Sequence, residues 1–87
     1  MMNQNATSAQ YVVIDAVWER LGAALRKRRK ESGLSVREIE RRSGVTRRTL
    51  YAYELAENRG GIELKKLMAL CSAIGCDVCE LLREAMA

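Results

Sequence analysis

The fold of this chain is decided by residues 35–54, SVREIERRSGVTRRTLYAYE. Ser35 followed three residues later by Glu38 forms a capping box, which predicts that a helix begins here. Gly44 should end that helix, because glycine adopts the left-handed backbone conformation without steric cost. Thr46 is a favoured N-cap residue and predicts a second helix directly after the turn. The stretch therefore predicts two short helices joined by a tight, glycine-containing turn.

Two helices joined in this way can hold a fixed angle of roughly 90–120°. Such an angle needs apolar residues between the helices, and Ile39, Val45 and Leu50 supply them. In this geometry the second helix can enter the major groove of DNA while the first crosses the phosphate backbone. We therefore predict a helix-turn-helix whose second helix, the reading helix, spans about residues 46–57.

The flanking sequence predicts three further helices. The first should run from about Asp15 to Glu31, and the fourth from residue 62 or 63 to Ile74. A second capping box, Asp77 to Glu80, should begin the fifth. The apolar stripes that support these helices recur at spacings of three and four: Val17, Leu21, Ala24 and Leu25 in the first, Leu64, Leu67, Met68, Cys71 and Ile74 in the fourth, and Val78, Leu81 and Leu82 in the fifth.

These elements predict a compact, all-α, five-helix domain over residues 14–87, preceded by a flexible N-terminal arm over residues 1–13. The apolar run at residues 11–14 has two readings, since it can extend the first helix or pack on a partner. No run approaches the ~18 apolar residues that a membrane span needs. The N-terminus also lacks the pattern of a secretory signal, so we expect a cytoplasmic protein.

The positive charge is concentrated in one part of the chain. Residues 26–48 contain ten of the fifteen basic side chains and three acids, a local charge of +7 in a chain whose net charge is +4. So uneven a distribution favours a polyanion as partner. The alternative is a solvated helix surface, and for the cluster at residues 26–30 both readings stay open.

The sequence indicates no catalytic or metal chemistry. An odd number of cysteines, Cys71, Cys76 and Cys79, argues against a disulfide framework. Since the chain has no histidine, it offers only three thiolates to a four-ligand zinc site and lacks the commonest general base. We expect structural cysteines, no metal, no cofactor and no enzyme, with an intermolecular metal or redox role for Cys76 and Cys79 as the alternative.

From about residue 21 to residue 82 the sequence resembles the Cro/repressor-type (XRE-like) helix-turn-helix family. The resemblance implies a five-helix, repressor-like domain that reads operator DNA, usually as a dimer on paired half-sites. The chain departs from the family pattern at Val36, where the family often has glutamine. It also departs at Glu40, where the family prefers alanine. Either the two helices of the motif are splayed apart at this position, or Glu40 pairs with an arginine. The matching stretches are 25–29, 33–35, Ile39, 44–50, 53–54 and 67–76.

Roles follow from position on the reading helix. We assign base readout to the outward residues of this helix, because arginine matches the two hydrogen-bond acceptors of guanine. We assign contacts with the DNA backbone to residues at its ends and on the preceding helix. The alternative for the arginines is solvated surface. The base-readout candidates are Arg47, Arg48, Tyr51 and Ala52, and the backbone candidates are Thr46, Thr49, Arg37, Asn58 and Arg59.

A homodimer is expected, because one small module buries too little surface for tight and selective binding. Candidate dimer contacts are Trp18, which is equally suited to the core, and Cys79, Leu82 and Met86 in the fifth helix. The sequence therefore predicts a sequence-specific, double-stranded DNA-binding transcription regulator, a phage or bacterial repressor or Cro-like switch. The alternatives are an adaptor or antitoxin that acts mainly through a protein partner, and a nonspecific architectural DNA binder.

Overall fold

A computed structural model describes residues 8–57 and 60–87, and the secondary structure of these residues consists of five helices without a strand. The all-α, five-helix fold is thereby confirmed. The helices are α1 (Ser8–Ser32), α2 (Val36–Ser43), α3 (Arg47–Glu54), α4 (Leu64–Ile74) and α5 (Val78–Met86).

The predicted caps define both ends of α2 and the start of α3. Ser35 Oγ accepts a hydrogen bond from the Glu38 N–H at 3.0 Å, and Thr46 Oγ1 accepts one from the Thr49 N–H at 3.3 Å. Gly44 ends α2 with a φ of 73°, the left-handed conformation expected of it. Asp77 caps α5 in the same way as Ser35 caps α2.

The core lies where α1 packs against the other helices. The apolar side chains of the helix-turn-helix point into it, as predicted, and Tyr53 is its largest fully buried side chain. The buried apolar residues are Leu21, Ala24, Leu25, Ile39, Val45, Leu50, Tyr53, Leu67, Leu70, Cys71, Ile74, Leu81 and Ala85.

The close approach of α1 to α3 was not predicted. At Gly22 a Cβ atom would collide with the Tyr53 carbonyl oxygen and would lie 2.6 Å from the Glu54 carbonyl oxygen. Both obstacles are backbone atoms of the last turn of α3, which side-chain rotation cannot move. Gly22 therefore lets the long first helix lie directly on the reading helix.

Two helix boundaries differ from the predictions. The helix α1 begins at Ser8, about seven residues before Asp15, so the run at residues 11–14 extends the first helix. The reading helix ends at Glu54 and not near residue 57. It ends early because Ala56 takes a φ of 55° and the Glu57 N–H bonds back to the Ala52 carbonyl, which closes the last turn.

The predicted apolar stripe of α4 was wrong at two positions. Leu64 and Met68 are 59% and 53% exposed, whereas Leu70, which the stripe omitted, is fully buried. Because α4 is apolar around most of its circumference, its periodicity fits more than one face. Packing against α2, α1 and α5 decides which face is buried.

Candidate nucleic-acid interface

The reading helix α3 has one buried and one exposed face. Leu50 and Tyr53 hold it to the core, each about 1% exposed. Arg48 and Tyr51 lie on the other face, where both are exposed to solvent. The buried Val45 fixes the turn before α3. The fold therefore presents a short, firmly seated helix with an arginine and a tyrosine on its open side.

A buried ion pair joins α1 to the end of α3. Arg29 donates from Nε to Glu54 Oε2 at 2.5 Å and from Nη2 to Glu54 Oε1 at 2.9 Å. The Glu54 side chain is only 2% exposed. The hydrogen bond to Glu54 raises the pKa of Arg29 above its usual value, so the guanidinium is charged. Glu54 therefore serves as an ion-pair partner that links α1 to the end of α3.

The same arginine also contacts the exposed face of α3. Its guanidinium carbon lies 5.8 Å from the centroid of the Tyr51 ring, within the distance at which a cation is attracted to an aromatic face. Arg29 thus connects the first helix to both Glu54 and the outward-facing Tyr51. This role of Arg29 was missed, because the sequence showed only a run of basic residues at positions 26–30.

Glu40 lies on α2 and binds the start of α3. One carboxylate oxygen accepts from the Arg47 N–H at 3.1 Å, and the other accepts from Arg47 Nη2 at 3.3 Å. Of the two outcomes that the sequence left open for Glu40, pairing with an arginine is the one observed.

Glu38 forms ion pairs with the two arginines at the end of α2. It accepts hydrogen bonds from Arg41 and from Arg42, which are three and four residues further along the helix. The hydrogen bonds from Arg41 and Arg42 lower the pKa of Glu38 to about 2. Its carboxylate therefore faces these arginines, whereas the capping box predicted that it turns back toward Ser35.

These pairings divide the arginines of the helix-turn-helix into two groups. Arg41, Arg42 and Arg47 each pair with a carboxylate of α2. Within residues 35–54, all of which the structure describes, Arg37 and Arg48 are exposed and belong to no ion pair. The local charge of +7 already counts Glu38 and Glu40. Two acids from outside residues 26–48, Glu84 and Glu54, pair with Arg28 and Arg29 and reduce the positive charge of this region further.

The other candidates for DNA contact lie in varied surroundings. Thr46 is exposed at the N-cap of α3, and its hydroxyl also donates to Thr49 Oγ1 at 3.1 Å. Ala52 is half-buried and lines a small surface depression together with Trp18. The two remaining backbone candidates, Asn58 and Arg59, lie outside the described residues.

The four dimer candidates also separate by exposure. Trp18 is half-buried against the core and lies close to Gly61, where a Cβ atom would come within 3.3 Å of the indole ring. Leu82 is likewise half-buried, whereas Cys79 and Met86 are exposed. Of the four side chains, these last two are the most open to a second molecule.

The cysteines show no grouping with other ligand-type residues. Within residues 8–57 and 60–87, no three His, Cys, Asp or Glu side chains lie close enough together to hold a metal ion. Burial raises the pKa of Cys71 to about 12, with a smaller contribution from its hydrogen bond with Cys76. In the same ranges, no helix has the length and apolar character that crossing a bilayer requires.

Two short helices joined by a turn in which Gly44 is exposed and Val45 is buried, with the second helix open to solvent on one face, define a helix-turn-helix protein of the DNA-binding type. The profile of the helix-turn-helix family (HTH_3) matches residues 25–81, so the chain belongs to this family, as its XRE-like resemblance predicted. This membership supports a function in DNA-binding transcription regulation.

One solved structure extends the likeness beyond the two-helix unit. The chain is similar to the clp gene regulator ClgR from C. glutamicum, with 34% sequence identity and a TM-score of 0.70. The matched region covers 82% of this chain and 92% of the ClgR chain. No curated protein matches the sequence.

Proposed function

We propose that this protein is a sequence-specific regulator of transcription that inserts α3 into the major groove of double-stranded DNA. The observation that carries the proposal is the exposed, unpaired Arg48 on the first turn of a helix whose opposite face is anchored in the core. Arginine is the side chain best suited to bidentate contact with guanine O6 and N7. A rigid frame behind it limits the entropy lost when that contact forms.

The neighbouring residues complete the proposed reading surface. Tyr51 is within reach of a thymine methyl group or a phosphate, and the small Ala52 side chain leaves room for a methyl group beside it. Arg47 is the fourth base-readout candidate of the sequence. Because Glu40 on α2 holds it in the free protein, we assign it to a phosphate instead of a base.

Backbone contacts are proposed on both sides of the turn. Arg37, exposed and unpaired near the start of α2, is the best-placed cation for a phosphate, because the first helix of the motif crosses the backbone. Thr46 and Thr49 supply hydroxyl groups at the N-terminus of α3, and Asn58 and Arg59 remain candidates after it. Such contacts set the register of the protein on the duplex and do not select its sequence.

The division between base and backbone roles is tested by a pair of arginine variants. We expect Arg48→Ala to reduce the preference for a selected duplex over a random one, by an amount equivalent to about 1–3 kcal/mol. Arg37→Ala should weaken binding to both duplexes about equally and flatten the salt dependence by about one unit. Fluorescence anisotropy on a duplex selected from a random library measures both effects. Equal losses on both duplexes in the two variants would contradict the assignment.

We also propose that the protein acts as a homodimer and as a repressor or Cro-like switch in a bacterial or phage-infected cytoplasm. Repression requires only that a bound protein occlude the DNA, whereas activation requires a further contact with the transcription machinery. Two domains related by a twofold axis can read two half-sites one helical turn apart.

We propose two of the exposed apolar areas for the dimer contact. One is the first turns of α1, where Val12 and Val13 are 66% and 63% exposed, and the other is the end of α5, where Met86 is 69% exposed. Sedimentation equilibrium of Val13→Asp and Met86→Asp, with and without DNA, would identify which area is used. Wild-type protein that stays monomeric on a two-half-site duplex would contradict the dimer.

A further inference from the structure

The contact between Glu40 and Arg47 places a carboxylate where a DNA-binding helix would meet phosphate. A helix N-terminus favours anions, because its first N–H groups have no partner within the helix. In α3 the Arg47 N–H is one of these groups, and Glu40 accepts its hydrogen bond at 3.1 Å. The same carboxylate binds the guanidinium of Arg47. Glu40 thus binds both groups of Arg47 that an approaching phosphate would bind, the backbone N–H and the guanidinium.

The position of Glu40 indicates which DNA group it competes with. It lies on α2, the helix that crosses the phosphate backbone in this motif. Arg47, held by Glu40 on α2, therefore lies on the side of the motif that we assign to the phosphate backbone. The Arg47 and Glu40 side chains are 57% and 34% exposed, so water and an incoming phosphate can both reach the pair.

We propose, building on the proposed DNA-binding function, that Glu40 is a positioning residue that withholds Arg47 from DNA phosphates and thereby limits the affinity of the protein for every duplex. A phosphate that takes Arg47 must first displace the carboxylate and then remain beside its charge. Among the residues that the structure describes, no carboxylate pairs with Arg37 or Arg48. Glu40 thus reduces the sequence-independent part of binding and leaves base readout to Arg48.

The size of this effect follows from counterion release. Each phosphate neutralised changes log K by about 0.9 for each tenfold change in salt. If Arg47 is released to one phosphate, affinity at 0.1 M salt should rise about eightfold and the salt dependence should steepen by about one unit. The gain should be the same for selected and random duplexes, because phosphate contacts carry no sequence information.

To test this role, the affinity of the Glu40→Gln variant for a random and for a selected duplex is measured at several salt concentrations and compared with that of the wild-type protein. The glutamine amide oxygen can still accept from the Arg47 N–H, and thermal unfolding followed by circular dichroism checks that the fold is retained. Glu40→Ala is the second variant, since it removes the competitor and leaves an exposed N–H. The matched control is Glu19→Gln, which makes the same change in net charge at an exposed, unpaired position on α1.

A double-mutant cycle with Arg47→Gln separates release of Arg47 from a general loss of negative charge. We expect the tighter binding and steeper salt dependence of Glu40→Gln to shrink to the level of Glu19→Gln when Arg47 is absent. A gain that persists without Arg47, or an unchanged salt dependence in Glu40→Gln, would overturn the role of Glu40. Absence of duplex binding by the wild-type protein at low salt would instead refute the proposed function itself.

Discussion

Replacing Arg29 with methionine tests the contact that joins α1 to the reading helix. The substitution keeps much of the side-chain volume but leaves the Glu54 carboxylate, 2% exposed, without its cation. Removing one partner of a buried ion pair costs about 3–5 kcal/mol, because the remaining charge is buried without compensation. The Arg29 side chain is 14% exposed, so the pair retains some access to water and we expect the lower value, about 3 kcal/mol.

A loss of this size is a large part of the total stability. A domain of this length has a free energy of unfolding of about 4–13 kcal/mol. The melting temperature should accordingly fall by about 12–24 °C. Urea denaturation followed by circular dichroism and by Trp18 fluorescence would measure the change, and an unaltered slope with denaturant would show that unfolding remains two-state.

The opposite variant gives the comparison that decides the reasoning. Glu54→Gln leaves Arg29 charged. Because the long Arg29 side chain can turn its guanidinium toward water and keep its contact with Tyr51, the free energy of unfolding should fall by only about 1–2 kcal/mol. Arg29→Lys should also be intermediate, because lysine keeps the charge and loses the paired hydrogen bonds. An Arg29→Met loss below about 1 kcal/mol, or a larger loss in Glu54→Gln, would refute the account.

Three further predictions concern packing, acid stability and thiol reactivity. Gly22→Ala should destabilise the fold by about 1–3 kcal/mol, because its Cβ meets the α3 backbone; equal melting temperatures for variant and wild type would contradict this. Glu38, whose pKa its two arginine partners lower to about 2, should stabilise the fold above its unfolded pKa of about 4.3 and lose that effect as the pH falls toward 2. Acid titration of Glu38→Gln should therefore show a shallower loss of structure over this range. At pH 8, iodoacetamide should modify the exposed Cys79 first and Cys71 last, because burial raises the pKa of Cys71 to about 12; mass spectrometry that finds Cys71 modified first would contradict this order.

The helix-turn-helix was predictable because its signals are local. Ser35, Gly44 and Thr46 act on backbone groups within a few residues of themselves, and all three have the predicted roles. The end of the reading helix was harder to predict from the sequence, since Ala56 takes a left-handed conformation that glycine or asparagine usually occupies. A boundary made by an unexpected residue leaves no signal in composition or spacing.

The pairing of the charged residues could not be predicted from the sequence. The sequence showed that basic residues are concentrated at positions 26–48 and left Glu40 as a point of departure from the family. Which cations stay free depends on which acids lie beside them. Arg29 pairs with a residue 25 positions away and Arg47 with one seven positions away. Each pair joins two different helices, so the spacing within a helix does not indicate it.

The number of helices, most of their ends and the turn that makes the motif can be predicted from the sequence, because caps, glycines and apolar spacing act over one or two helical turns. The buried face of α4, the need for glycine at position 22 and the division of the arginines into paired and free cannot. Those features depend on residues that are distant in the chain and become neighbours when the helices pack. Among the described residues, Arg48 on α3 is exposed and belongs to no ion pair, whereas Glu40 holds Arg47 and Glu54 holds Arg29.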